Sequence, residues 1–193
     1  YQVDLSGGEI FQSLRPFFEN NDNLSELEVK RCQFGSGCAR QLSLALGRCN
    51  KLKTVWLDGN RMGNEQLTDV IEALSTHPQL EKLAFPHMNI GRNECANLAY
   101  VLHGMSELTF LKLYSNDIDD EGVDALVGGL AKSNLNALTL SYNNITARGC
   151  QSLATILEQP NSNLKELSLY SNNIGDEGAL IFANAMTSNR KLK

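Results

Sequence analysis

The sequence predicts an α/β solenoid in which one strand, one turn and one helix recur along the chain. Leucines recur at intervals of 28, 28, 28, 27, 29 and 28 residues, at Leu24, Leu52, Leu80, Leu108, Leu135, Leu164 and Leu192. Within each interval, apolar residues first alternate with polar ones and later recur every four residues, which are the periods of a strand and a helix. One such unit cannot bury its apolar face alone, so neighbouring units must stack.

Each unit begins with a strand. When each leucine above is numbered position 1, positions 4 and 6 are apolar and positions 3, 5 and 7 lie on the opposite face. The residues at positions 4 and 6 are Leu27 and Val29, Val55 and Leu57, Leu83 and Phe85, Leu111 and Leu113, Leu138 and Leu140, and Leu167 and Leu169. Val3, Leu5 and Ile10 fit the same frame in a shorter first unit.

A turn follows each strand. Position 9 is an asparagine in four units, at Asn60, Asn116, Asn143 and Asn172. Cys32 and Met88 occupy this position in the other two full units. These asparagines are expected to be structural, because their side-chain amides can satisfy backbone groups in the turn between neighbouring units. The thioether of Met88 is a poor replacement for an amide in this role, and the nearby Pro86 has no N–H. We therefore expect a local irregularity at Pro86–Met88, for which ordinary loop variation is favoured over a functional bend.

A helix completes each unit, because positions 19 and 23 are apolar and share one helix face. Asp119, Asp120 and Glu121 precede one helix, and Asp176 and Glu177 precede another; carboxylates there cap free N–H groups and oppose the helix dipole. The alternative of a calcium loop is disfavoured, because the glycine and terminal glutamate of an EF-hand are missing. Glycines at the helix entries are expected to permit tight turns, at Gly122, Gly149 and Gly178.

Stacking determines the predicted shape. Neighbouring strands lie about 4.8 Å apart, whereas neighbouring helices need about 8–10 Å, so the strands line a concave face and the helices a convex face. Crossovers between parallel strands are right-handed. We expect a right-handed α/β solenoid, a single domain over residues 1–193 of about seven units that start near residues 1, 24, 52, 80, 108, 135 and 164. The partial units at both ends indicate a fragment of a longer protein.

The pattern Leu-x-x-Leu-x-Leu-x-x-Asn-x-Ile occurs at Leu108–Ile118, Leu135–Ile145 and Leu164–Ile174, each time followed by a glycine and a helix. It resembles the ribonuclease-inhibitor-like class of leucine-rich repeats, which includes ribonuclease inhibitor, the GTPase-activating protein of Ran and the sensor domains of NOD-like receptors. The segment Asn172–Ala179 is most similar to the NOD-like receptor version. The resemblance covers essentially the whole chain and implies a leucine-rich repeat horseshoe, a fold that hosts many functions.

Composition and motifs disfavour several functions. A net charge of −5 argues against a nucleic-acid partner, since phosphate binding needs clustered Lys and Arg. No apolar run approaches the length of a membrane span, and no signal peptide opens the chain. The sequence has no metal-binding, nucleotide-binding or hydrolase motif. We therefore predict no cofactor, no metal, no membrane contact, no small-molecule substrate and no enzymatic activity.

The cysteines and histidines suggest a reducing compartment and no catalytic site. Five cysteines, at Cys32, Cys38, Cys49, Cys95 and Cys150, form no disulfide framework, so we expect a cytoplasmic protein. Sequons at Asn23 and Asn144 would matter only in a secreted protein. Cys49 and His77 share position 26 in adjacent units. A Cys–His dyad is one interpretation, but two structural neighbours are favoured because no third orienting group is evident.

Positions 3, 5, 7 and 8 form the predicted concave face. Its charged residues are Asp4, Glu26, Glu28, Lys30, Arg31, Asp58, Lys82, Lys112 and Glu166. Tryptophan and tyrosine dominate binding hot spots, although single exposed rings are also normal on surfaces and aromatic residues favour strands. The predicted partner-binding residues are Trp56, His87, Phe110, Lys112, Tyr114, Tyr142 and Tyr170.

The leading hypothesis is a protein-interaction module that binds a partner protein on its concave face, as the sensing part of a NOD-like-receptor-type protein would. The alternative is an activator of a small GTPase resembling the Ran activator, although that family's functional residues do not map onto matching positions here. An inhibitor similar to ribonuclease inhibitor is less favoured, because the concave face is not strongly acidic and cysteines are few. An enzyme is the least favoured class.

Overall fold

The computed structural model describes residues 2–4, 23–32, 34, 36–60, 62–189, 191 and 192, with the backbone alone at 2–4 and 36–38. Leu5 and Ile10, which the repeat frame assigns to the first unit, lie outside these residues. The side chains of Asp4 and Cys38 do so as well.

Parallel strands form one sheet in chain order. Across the described residues the strands are β1 (Gln2–Asp4), β2 (Glu26–Lys30), β3 (Thr54–Asp58), β4 (Lys82–Ala84), β5 (Phe110–Lys112), β6 (Ala137–Thr139) and β7 (Glu166–Ser168). The register places position 4 of each unit opposite position 4 of the next, as in the pairs Leu27 with Val55 and Leu83 with Leu111. Equivalent positions therefore form straight rows across the sheet.

One helix follows each strand from β2 onward. The described helices are α1 (Ser36–Leu46), α2 (Asn64–Ser75), α3 (Arg92–Leu102), α4 (Asp120–Leu130), α5 (Ala147–Leu157) and α6 (Gly175–Ser188). Each packs against the helices that precede and follow it in the chain. The molecule is an α/β solenoid with its strands on the concave face and its helices on the convex face, as the sequence predicts.

The core lies between the sheet and the helices. Leu83 and Leu111 at position 4, and Leu98 and Leu126 at position 19, are fully buried. Burial decreases in the last unit, where Leu167, Leu169 and Phe182 are only partly buried. The described residues place no further unit against β7 and α6, so the apolar face of the last unit has a neighbour on one side only.

Position 8 of each unit has a left-handed backbone. Its residues are Arg31, Gly59, His87, Ser115, Tyr142 and Ser171, with φ between 52° and 62°. The position 8 N–H donates to the position 7 carbonyl of the next unit, for example from Gly59 to Pro86 at 3.0 Å and from Tyr142 to Tyr170 at 2.9 Å. Parallel pairing therefore continues past the strands into the turns.

The backbone keeps the regular turn geometry at His87 and departs from it one residue beyond the predicted segment, at Asn89. His87 has the same left-handed backbone as its counterparts, with φ 55°. Pro86 fits because it takes part in this row through its carbonyl, which accepts the Gly59 N–H. Asn89 also has φ 55°, whereas its described counterparts Asp117, Asn144 and Asn173 do not have a positive φ.

The position 9 asparagines connect each turn to the preceding unit. The Oδ1 atom of Asn116 accepts from the N–H groups of Met88 at 2.9 Å and Ile90 at 3.1 Å, and its Nδ2 donates to the carbonyl of Phe85 at 2.8 Å. The amides of three other residues likewise accept from and donate to the preceding unit: Asn60, Asn143 and Asn172. Each amide thus satisfies backbone groups that strand pairing does not reach.

Met88 supplies half of what an asparagine would supply. Its Sδ atom accepts the N–H of Asn60 at 3.3 Å. Asn116 donates a hydrogen bond to the carbonyl of Phe85 in the preceding unit. Met88 cannot donate one to the equivalent carbonyl of Leu57, because a thioether has no donor. The structure therefore refines the sequence-based expectation, since Met88 replaces the acceptor but not the donor of the amide.

The expectation that the helix-entry glycines permit tight turns is wrong. Gly122, Gly149 and Gly178 lie in the first turns of their helices without a positive φ. Close packing explains them: a Cβ at Gly149 would lie 2.6 Å from Oδ1 of Asp120, and one at Gly178 would lie 3.0 Å from Sγ of Cys150. A side chain here would push neighbouring helix starts apart.

Candidate interaction surface on the concave face

The register brings side chains of several units together on the concave face. Position 5 places Glu28, Trp56, Ala84 and Lys112 in one row across β2 to β5. Ala84 is the smallest member of this row and lies between the two largest. The row therefore has a gap at β4 across which its neighbours can meet.

Trp56 is the centre of the first group of predicted residues. The Nζ atom of Lys112 lies 4.7 Å from the centre of the indole ring and 5.0 Å from that of Phe110, and Nζ of Lys30 lies 5.7 Å from the indole. These distances are within the range of cation–π attraction. Lys112 reaches Trp56 across β4 because the residue between them is Ala84. We call Trp56, Phe110 and Lys112 the tryptophan group.

The other four predicted residues lie at the carboxyl ends of the strands and in the turns. The rings of His87 and Tyr114 meet edge to face at 5.7 Å, and those of Tyr142 and Tyr170 do so at 4.9 Å. Tyr142 is 50% exposed and Tyr170 is 60% exposed. These four residues, which we call the tyrosine strip, present ring area to solvent and lie outside the hydrophobic core.

Tyr114 is the half-buried member of the tyrosine strip. Burial raises the pKa of its phenol, and the nearby charge of Asp58 raises it further. The hydroxyl is therefore protonated at neutral pH, when it can donate a hydrogen bond to a partner.

A groove of about 290 Å³ opens on the concave face between β2 and β5. Its lining includes Glu26, Glu28, Thr54, Trp56, Lys82, Ala84 and Phe110. This volume is at the lower end of the range for ligand pockets, so it suits a single side chain or a short fragment. The sequence analysis did not predict the groove, although small residues at Thr54 and Ala84 between larger neighbours could have indicated it.

The seven predicted residues therefore form two groups of mutual contacts on the concave face. The tryptophan group lies on the strands, and the tyrosine strip lies where the strands end. Lys30, which the prediction placed on the concave face but not in the site, contacts Trp56. Its contact follows from the pairing of β2 with β3.

The described cysteines Cys32, Cys49, Cys95 and Cys150 are all buried, and Cys95 and Cys150 are free thiols. Burial raises the pKa of the Cys95 thiol to about 12 and that of the Cys150 thiol to about 11. Thiols are nucleophilic as thiolates, so these two groups are unreactive at neutral pH. In the part of the chain that the structure describes, no group of three or more His, Cys, Asp or Glu residues could hold a metal ion.

His77 and Cys49 contact the backbone at the ends of neighbouring helices. Nε2 of His77 lies 2.7 Å from the carbonyl oxygen of Leu46, and Nδ1 lies 3.2 Å from the carbonyl oxygen of Leu74. The thiol of Cys49 donates to the carbonyl oxygen of Ala45 at 3.4 Å. His77 thereby joins the end of α1 to the end of α2. These contacts favour the structural interpretation over a catalytic dyad.

Comparison with known proteins agrees with this architecture. The sequence model of the family described as "Leucine Rich repeat" matches residues 106–127, 131–154 and 161–183. Pig ribonuclease inhibitor is 34% identical over 160 residues, which are 81% of this chain and 35% of the inhibitor. The human protein named "NACHT, LRR and PYD domains-containing protein 3" is 30% identical over 168 residues, which are 85% of this chain.

This chain is a leucine-rich repeat solenoid similar to the ribonuclease-inhibitor-like family.

The leucine-rich repeat chain spans only part of these relatives, 16% of the human NACHT protein and about a third of the inhibitor. Two solved structures share its fold. "Leiomodin-1 Actin-Binding Site 2 (ABS2)" has a TM-score of 0.62 at 20% identity and covers 95% of this chain and 91% of its own. The tropomodulin C-terminal domain of Caenorhabditis elegans has a TM-score of 0.58 at 14% identity, and the match covers 93% of this chain and 92% of the tropomodulin domain. Within the described residues of the repeat chain, no helix is long and apolar enough to cross a bilayer.

Proposed function

We propose that this leucine-rich repeat chain binds a partner protein through its concave face and acts by binding rather than by catalysis. The observation that carries this proposal is the tyrosine strip, in which the exposed rings of Tyr142 and Tyr170 contact each other and lie outside the core. Tyrosine binds partners well because it buries a large area with few rotatable bonds and offers a hydroxyl for hydrogen bonding.

The arrangement of the rings supports a broad contact. The tyrosine strip extends from the turn after β4 to the end of β7, so at about 4.8 Å between strands it covers roughly 15 Å. The tryptophan group and the groove lie beside it on the same face. A partner protein can cover both groups at once, which a small molecule cannot.

The names of similar proteins also support a protein partner. Ribonuclease inhibitor is named for a protein target, and the leiomodin fragment is named as an actin-binding site. These names describe those proteins. For this chain they support the class of partner and not its identity.

A quantitative binding experiment with matched tyrosine variants tests the proposal. We expect Tyr142→Ala and Tyr170→Ala each to weaken binding of a captured partner by about 30-fold, which corresponds to roughly 2 kcal/mol for a hot-spot residue. Phe110→Ala in the tryptophan group should also weaken binding. The measurement is the Kd of the recovered partner for each variant.

Tyr100 provides the control, because it is a tyrosine on the convex helix α3 that is 84% exposed. Tyr100→Ala should leave the Kd unchanged. If the concave variants bind as the original chain does, or if Tyr100→Ala weakens binding to the same extent, the concave face is not the binding surface.

We also propose that the protein works in the cytoplasm. The buried free thiols Cys95 and Cys150 support a reducing compartment. Asn144 is exposed and belongs to a sequon, so passage through the secretory pathway would allow a glycan there. The intact mass of the protein isolated from its native cells should show no glycan, and a glycan on Asn144 would contradict the proposal.

A further inference from the structure

We propose that the groove beside Trp56 receives a carboxylate side chain of the partner protein, and that a basic side chain of the same partner lies against β2. This inference rests on the proposed function and deepens it, since it states the chemistry that the concave face recognises. Three features of the groove carry it.

The first feature is a pair of lysines without a carboxylate partner. Lys112 lies against the rings of Trp56 and Phe110, and Lys82 lines the groove on the neighbouring strand β4. Neither ammonium group forms an ion pair with a described carboxylate. Two cations on adjacent strands, beside apolar ring surface, form a suitable receptor for one anionic group.

The second feature is the indole N–H of Trp56. This donor is buried and has no hydrogen-bond acceptor among the residues that the structure describes. A buried donor without an acceptor is unfavourable, and such groups are rare in folded proteins. The lysines and the indole are all donors, so an oxygen acceptor supplied by the partner complements them.

The third feature is the negative charge of Glu26 and Glu28 on the wall of the groove formed by β2. Glu28 forms an ion pair with Lys30. Glu26 is exposed on the wall of the groove and forms no ion pair with a described cation. A basic group of the partner fits beside Glu26, whereas an acidic group fits beside Lys82 and Lys112.

The strand spacing sets the distance between the two partner charges. Glu26 on β2 lies two strands from Lys82 and three strands from Lys112, which is about 10–14 Å at about 4.8 Å per strand. An extended peptide advances about 3.3–3.6 Å per residue. Side chains alternate between the two faces of an extended segment, so the acidic and basic side chains of the partner are expected four residues apart, where both can face the sheet.

The balance of charge favours a carboxylate over a phosphate. Lys82 lines the groove and Lys112 lies beside it, against the rings of Trp56 and Phe110, while the groove walls also carry Glu26 and Glu28. Because Glu28 is paired with Lys30, the two lysines and Glu26 leave one net positive charge, which a carboxylate balances and a phosphate with up to two negative charges exceeds.

The single tryptophan of the chain allows a direct test, because Trp56 gives the only indole N–H signal in an NMR spectrum. The probe is the peptide acetyl-Glu-Ala-Leu-Ala-Lys-amide, titrated into the full chain labelled with nitrogen-15. We expect a saturable shift of the indole signal. The matched peptide acetyl-Gln-Ala-Leu-Ala-Gln-amide should bind at least about fivefold more weakly, the loss expected for a partly exposed charged contact of roughly 1 kcal/mol.

Charge-neutralising variants locate the contact. Lys82→Gln and Lys112→Gln should each weaken binding of the acidic peptide about fivefold. Lys132→Gln removes the same charge from an exposed residue beyond the end of α4 and should change nothing. Lys82 is exposed and makes no ion pair in the described structure, so its variant retains the fold even if Lys112→Gln loses stability.

The outcomes separate this inference from the proposed function. Equal binding of the two peptides, or equal binding by the Lys82 and Lys132 variants, would overturn the carboxylate site. If no peptide shifts the indole signal while partner binding still depends on Tyr142, the carboxylate site is wrong and the concave interface stands. If partner binding is also independent of Tyr142 and Tyr170, both proposals fail.

Discussion

At the scale of single residues, the adjacent glycines of α4 have very different surroundings. A Cβ atom at Gly129 would lie 2.5 Å from the Cα and carbonyl oxygen of Ala99 in α3, whereas one at Gly128 would meet nothing within 4 Å. The missing side chain at Gly129 therefore allows α3 and α4 to approach each other. At Gly128 the missing side chain fills no packing role and only adds conformational freedom to the unfolded chain.

We predict opposite effects of alanine at these two positions. Gly129→Ala should lower the free energy of unfolding by roughly 1–3 kcal/mol, because the clash is with backbone atoms that cannot move aside. Gly128→Ala should raise it by roughly 0.5–1 kcal/mol, because alanine is the better helix former. Urea denaturation of the two variants checks this, and shifts of the same sign would contradict the packing that the structure shows.

At the scale of elements, Asp120 connects the start of α4 to the start of α5. Its Oδ1 atom accepts from the N–H groups of Thr146 at 2.8 Å and Gly149 at 2.9 Å, and its Oδ2 accepts from the Thr146 hydroxyl at 2.6 Å. The sequence assigns the run Asp119–Glu121 to its own helix, and Asp119 does cap α4 through the N–H of Gly122. Asp120 caps the following helix instead.

These bonds make the contribution of Asp120 dependent on pH. Burial alone would raise the pKa of its carboxyl, but the hydrogen bonds from Thr146 and Gly149 and the charge of Arg148 outweigh burial and hold the pKa below its ordinary value of 3.8. A carboxyl whose pKa is lowered by folding stabilises the protein above its unfolded pKa. This stabilisation is lost as the pH falls through the folded pKa, which lies in the acid range below about 4.

We predict that Asp120→Asn lowers the free energy of unfolding at pH 7 by about 1.5–3 kcal/mol, the range for hydrogen bonds to a charged group. The difference from the original chain should decrease as the pH falls toward 3. Asp124→Asn, one helical turn later, removes an exposed ion pair with Arg148 and should cost less than about 1 kcal/mol. Urea denaturation across this pH range measures both variants. If the loss in free energy of unfolding caused by Asp120→Asn is the same at pH 7 and pH 3, the ionised carboxylate of Asp120 is not what stabilises the protein.

At the scale of the whole molecule, stability depends on neighbours on both sides. In a solenoid each unit contacts only the units before and after it, so stability is nearly a sum of unit and interface contributions. Leu111 and Leu167 both occupy position 4. Leu111 is fully buried between neighbouring units, whereas Leu167 in the last described strand is partly exposed.

We predict that Leu111→Ala lowers the free energy of unfolding by about 2–5 kcal/mol, the usual range for a buried leucine. Leu167→Ala should cost less than half as much, because the original side chain is already in part solvated. Chemical denaturation of the two variants gives the comparison. Equal losses would show that the last unit is packed as tightly as the central ones.

The sequence by itself determined the class of fold, the order of the strands and helices, and the side chains that line the concave face. This was possible because each unit repeats the same local spacing of apolar residues, and the parallel register then aligns equivalent positions. The positions of Trp56, Phe110 and Tyr142 follow from that frame alone.

Only the tertiary structure decided which of these side chains meet. Lys112 reaches Trp56 because Ala84 lies between them, Asp120 caps a helix of the next unit, and Gly129 but not Gly128 lies against α3. These contacts depend on the directions of side chains in neighbouring units and on the space between those units. A period of about 28 residues sets neither quantity, because it describes each unit separately and does not specify how two units fit together.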